Sequence, residues 1–166
     1  MDEPSAVWSV PCVYDLTRTP KRASVPKSCE ETVPECPAAY VIFEADSGDA
    51  GVSVLDIGEC GPRPRSKPGG LRGRLATNVA HSSSERIALD LSNGRTGLRN
   101  RLYVIWTKCG SKETAKTTQD ALLVLFKSEF GRQPKYNAKI EYCSDADRFK
   151  STYEVLKESI RLAVRP

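Results

Sequence analysis

Five basic residues and no acidic one lie between Gly61 and Leu75: Arg63, Arg65, Lys67, Arg72 and Arg74. Arginine forks and lysine point charges at this density suit the oxygens of a polyanion, so phosphate binding is the chemistry to expect of the stretch. Just before it, Val54-Leu-Asp-Ile-Gly-Glu59 places Asp56 inside a β-prone apolar run. Aspartate is depleted from strand interiors and costly when buried unpaired. Asp56 therefore stands out in its strand, and its plain explanation is an ion pair with Arg72 or Arg74. Tyr40 belongs to the preceding strand, and on an antiparallel hairpin the two side chains can face the same side. Arg74, Asn78 and His81 fall at i, i+4 and i+7, one face of a helix, where His81 adds a group that titrates near neutral pH. The plainer readings are a solvated charge run and a surface histidine at a helix end.

A hairpin, a loop and a helix are needed to hold these groups. Pro37-Ala-Ala-Tyr-Val-Ile-Phe-Glu44 reads as a strand entered from a proline, and Val52–Ile57 as a second strand across the turn residues Asp46 to Gly51. Leu71, Leu75 and Val79 at i, i+4, i+8 predict a helix burying one stripe. Ser82-Ser-Ser-Glu85 reads as a helix-capping box or as a serine-rich loop, and residues 85 to 100 as helix or loop. Leu102-Tyr-Val-Ile-Trp-Thr107, apolar on both faces, is expected at the centre of the sheet. Thr117 or Thr118 is expected to cap a helix running to about Glu129, with Gly131 beyond its end. Gln133-Pro-Lys-Tyr-Asn137 is an extended exit lying near the sheet. Ser144-Asp-Ala-Asp147 is expected to cap a last amphipathic helix whose stripe is Phe149, Tyr153, Leu156, Ile160 and Ala163. Residues 1–32, with four prolines, read as an irregular arm carrying at most one short edge strand.

At 166 residues the chain fits one domain. No apolar run approaches the roughly 18 residues that cross a bilayer. Met1-Asp2-Glu3 also lacks a signal peptide's basic start and apolar centre, so a cytoplasmic location without membrane association is expected. The six cysteines contain no Cys-x-x-Cys pair and the single histidine is His81, so free thiols are expected rather than bridges or structural zinc.

The order assembled is a strand with Tyr40, a turn, a strand with Asp56-Ile-Gly58, an arginine-bearing helix, a strand, and a helix ending in Gly131-x-x-Pro-x-x-Asn137. This order resembles the GIY-YIG nuclease superfamily over about residues 33–137. Pro37-Ala-Ala-Tyr40 is similar to its first motif and Leu55-Asp-Ile-Gly-Glu59 to its second, with Asp56 at the tyrosine position. Leu71-Arg-Gly-Arg-Leu75 is similar to the helix start that makes Arg74 the family arginine, and Asn137 to the terminal asparagine. The resemblance implies an α+β domain: a small, mostly antiparallel three-stranded sheet flanked by helices. The arm 1–32 precedes it, and residues 138–166 follow as a helical extension. It also implies metal-dependent hydrolysis of phosphodiesters in DNA with Mg²⁺ or Mn²⁺. The catalytic set would be Tyr40, Asp56, Arg74, His81 and Asn137, with Arg63, Arg65, Lys67 and Arg72 on the nucleic-acid backbone. The family's metal-binding glutamate falls at Leu125, and Glu129, one turn later on the same face, is the substitute carboxylate. The alternative is a catalytically impaired nucleic-acid-binding or protein-interaction module on the same fold.

Overall fold

The computed structural model describes residues 6–19, 22–45, 51–62, 69–76, 82–93, 101–138 and 142–163. Arg63, Arg65, Lys67, Asn78, Val79 and His81 lie outside these described residues.

Strands β1 (Cys12–Thr19), β2 (Arg22–Ser24), β3 (Ala38–Ala45), β4 (Val52–Cys60) and β5 (Arg101–Lys108) form one antiparallel sheet in the order β2-β1-β5-β3-β4. The architecture is α+β as expected, and the sheet has five strands where three were expected. The difference comes from the N-terminal segment. Cys12, Val13 and Tyr14 pair with Val104, Tyr103 and Leu102 of β5, so two strands extend the sheet on the side away from the hairpin. Proline content hid them, because Pro11 and Pro20 flank β1 instead of interrupting it. The run from Leu102 to Thr107 does take the central position, buried from both sides as its apolar character predicts.

Helix α1 (Gly70–Leu75) and helix α2 (Ser82–Ser92) pack on one face, and helix α3 (Lys112–Phe130) and helix α4 (Lys150–Ala163) on the other. One core joins Tyr14, Tyr40, Ile42, Leu71, Leu75 and Ile87. A second joins Val41, Phe43, Ile105, Leu122, Phe126, Leu156 and Ile160. Alternate residues of β3 thus serve opposite faces, the period-two pattern of a strand covered twice. The α3 helix begins earlier than predicted. Ser111 caps it, accepting a hydrogen bond from the Thr114 amide at 3.1 Å, while Thr117 and Thr118 lie inside and donate to the carbonyls four residues back. At its end Gly131 takes the left-handed conformation, φ 69°, as predicted. A 3-10 turn (Ala146–Phe149) leads into α4, and Asp145 gives that turn no side-chain cap, contrary to the predicted capping role. Among the described residues no helix is long and apolar enough to cross a membrane.

One glycine fixes where the arginine-bearing helix starts. Gly70 has φ +57°, and a Cβ there would run into the backbone of Glu35 and Cys36. The close approach lets the Leu71 amide reach Cys36 O at 3.1 Å and the Arg72 amide reach Pro34 O at 3.0 Å. Gly70→Ala is expected to cost about 2–4 kcal/mol, a left-handed alanine plus local overpacking, measurable as a fall in denaturation midpoint.

Candidate functional site

The free side of β4 is the edge of the sheet, and a polar cleft of about 410 Å³ wraps around it. Tyr40, Asp56, Arg74 and Asn137 all line this cleft. They come from β3, β4, α1 and the segment after α3, so the fold brings together four of the predicted site residues. Also in the lining are Ser83 and Arg86 of α2, Lys116 and Gln119 of α3, and Tyr136. None of these was singled out from the sequence. Lys116 and Gln119 stand at i, i+3, which is the signal that they share a face.

Tyr40 lies opposite Gly58 on the hairpin and Asp56 opposite Ile42, so both point to the α1–α2 side. A Cβ at Gly58 would overlap the Tyr40 ring, so the glycine is what lets the ring lie flat across β4. Asp56 is only 2% exposed. It accepts a hydrogen bond from Ser83, yet its Oδ2 is buried with no partner among the described residues. Burial pushes the carboxyl up to about 6, against the pull of Ser83, Arg74 and Arg86, which favour the ionised form. Burial, then the nearby Asp56 carboxylate, also raises Tyr40 well above the ordinary phenol range. Tyr40 is therefore a neutral hydroxyl at physiological pH.

The two arginines of α1 separate, as residues two apart on a helix do. Arg72 binds the 31–35 segment, donating to Val33 O at 2.7 Å, Glu31 O at 3.2 Å and the Glu35 carboxylate at 2.8 Å. It is not among the cleft residues. Arg74 turns to the cleft, where one terminal nitrogen donates to Glu59 O at 3.3 Å and Nε is buried without a partner among the described residues. Asp56 forms an ion pair with neither arginine among the described residues.

Asn137 stands in for a sixth strand. Its Oδ1 accepts from the Ile57 amide at 2.9 Å and its Nδ2 donates to Ile57 O at 2.8 Å, while the Tyr136 amide donates to Leu55 O at 2.8 Å. Gln119 donates to Ile57 O as well, at 3.0 Å. These bonds satisfy an edge strand's outward groups and hold β4 against the cleft. Both polar atoms of the Asn137 side chain are engaged in that tie.

Glu129 does not reach the cleft. It pairs with Lys157 of α4 at 3.3 Å, on an exposed part of α3. The described residues contain no group of three or more His, Cys, Asp or Glu side chains able to hold a metal. Comparison with protein-family models, curated proteins and solved structures finds no match to the chain.

Proposed function

We propose that the chain is a GIY-YIG-like endonuclease domain, and that the backbone phosphate of a nucleic acid, DNA in the first instance, sits in the cleft around Asp56. The observation that carries this reading is the convergence of Tyr40, Asp56, Arg74 and Asn137, from four separate elements, on one cleft whose other charged side chains are Glu59, Arg86 and Lys116, the last paired with Asp120 at 2.7 Å. Arg74 would grip a non-bridging oxygen, with Arg86 adding positive field. Asp56, whose carboxyl burial lifts to about 6, is ionised at neutral pH and matched to taking a proton from the attacking water. Tyr40, kept neutral, would orient that water by donating or accepting a hydrogen bond.

The Mg²⁺ or Mn²⁺ that the resemblance implies is not matched by the residues present: Asp56 Oδ2 is fully buried, and among the described residues no three His, Cys, Asp or Glu side chains stand together to hold an ion that keeps several waters. Supercoiled plasmid incubated with the protein and either ion is expected to be nicked. Arg74→Ala should slow nicking by about 10²–10³-fold, the usual effect of losing one oxyanion contact.

A second reading has an observation of its own. On α3 the cleft receives Lys116 and Gln119, while Glu129 pairs with Lys157 elsewhere. That favours a module that binds nucleic acid without cutting it. Absence of nicking in both metals, with DNA binding that weakens steeply as salt rises, would select this reading. No binding at low salt would remove both.

A further inference from the structure

One face of α2 grips the cleft wall. Ser83, Arg86 and Asp90 stand at i, i+3 and i+7, so the helix presents them together. Ser83 bonds the Asp56 carboxyl, while Asp90 Oδ2 accepts from the Tyr136 hydroxyl at 2.7 Å and from Lys135 Nζ at 2.7 Å. Arg86 lies between them. Its guanidinium is 5.5 Å from the centroid of the Tyr136 ring, and one terminal nitrogen donates to Tyr136 O at 3.5 Å. Tyr136 is a fixed support, 5% exposed, with its amide tied to Leu55 O of β4 and its hydroxyl to α2.

An arginine laid on an immobile ring has already lost much of the freedom of its flat group, so the donors it offers a ligand are held in advance. Arg86 is exposed and lines the cleft together with Arg74. The two come from different helices, α2 and α1, on the same side of the sheet. By strand alternation the second acid of the lining, Glu59, points with Ile57 to the α3 face of β4, the side from which Lys116 enters. Two guanidinium groups therefore face the single carboxylate of Asp56 on the α1–α2 side, and that side of the lining carries net positive charge.

We infer that Arg86 is a second phosphate-binding residue of the cleft, closing on the same group as Arg74, and that Asp90 positions it by locking the Tyr136 ring on which it lies. This rests on the cleft being a phosphate site, as read above. Tying α2 to the exit segment needs only Asp90 and Tyr136; a guanidinium in the cleft wall serves a bound anion.

Inorganic phosphate is the probe, titrated into the full chain at neutral pH and low temperature while the arginine Nε–Hε signals are followed by NMR. Arg74 and Arg86 should move together with one midpoint. Arg86→Ala should raise the midpoint read at Arg74 by about 10-fold, the order expected for loss of one charge-assisted contact. Arg86→Lys should recover little of that, because an ammonium cannot reproduce the stacked fork. Asp90→Asn, which touches no ligand, should raise the midpoint by less than Arg86→Ala does, whereas a purely structural Asp90 would leave it unchanged and overturn the positioning role. Near-UV circular dichroism verifies that each variant folds. Phosphate that moves Arg74 alone or neither arginine, or a wild-type midpoint in Arg86→Ala, overturns the phosphate contact. Nicking that still depends on Arg74 would then leave the functional reading standing without it. Paired titration of both arginines in a protein that neither binds nor nicks DNA would sink the functional reading and keep this one.

Discussion

Asp56→Asn is expected to make the protein more stable at neutral pH and to abolish the proposed nicking. The sign follows from burial. The folded carboxyl titrates near 6 against an ordinary value of 3.8, so the native state binds the proton more tightly than the unfolded chain does. Stability contributed by this group therefore falls as pH rises from about 4 to about 6, and the cost of holding the charge is complete above that window. A shift of roughly two pK units corresponds to about 3 kcal/mol, which the neutral amide recovers at pH 7–8 and does not recover below pH 4. Melting temperatures of the two proteins across this range should diverge with rising pH. Curves that stay parallel would mean that Asp56 is not held against its charge. Activity should move the other way, down by about 10²–10⁴-fold for loss of a general base. A group retained at a stability cost is the pattern expected of a functional residue.

Gly58→Ala should damage the cleft through Tyr40. The added methyl claims space filled by the Tyr40 ring, which has the sheet on one side and the α1 core on the other. The ring must leave its place or the hairpin must shift, at about 1–3 kcal/mol of overpacking. If Tyr40 acts from its present position, Gly58→Ala should lower nicking at least as far as Tyr40→Phe does. Wild-type activity in Gly58→Ala would show that the placement of Tyr40 does not matter. Thermal melts on the same samples separate a displaced ring from a lost fold.

Much of this arrangement was legible because the relevant signals are local. The β3–β4 hairpin follows from β-branched runs on either side of turn residues, and the place of Asp56 opposite β3 follows from strand alternation. The αL glycine at 131 and the Asn137 exit are short-range signals too. The start of α3 lies a few residues before the predicted cap because several Ser and Thr side chains compete for that role. Ser111 wins where the chain leaves β5, and Thr118 then bonds back along the helix.

By itself the sequence determined which groups are available: a buried-prone aspartate, a tyrosine on the neighbouring strand, an arginine-bearing helix start, and an asparagine at the exit. Tertiary structure decided which of them meet. Arg72 and Arg74 look equivalent in the chain, yet one is tied to Val33 and Glu35 and the other lines the cleft. Glu129 is in phase with Leu125 on α3, yet the packing of α4 gives it Lys157 instead of the cleft. Tyr14 enters the core because β1 docks on β5, about 90 residues away in the chain, and strand partners at that range are chosen by which apolar faces can be buried together.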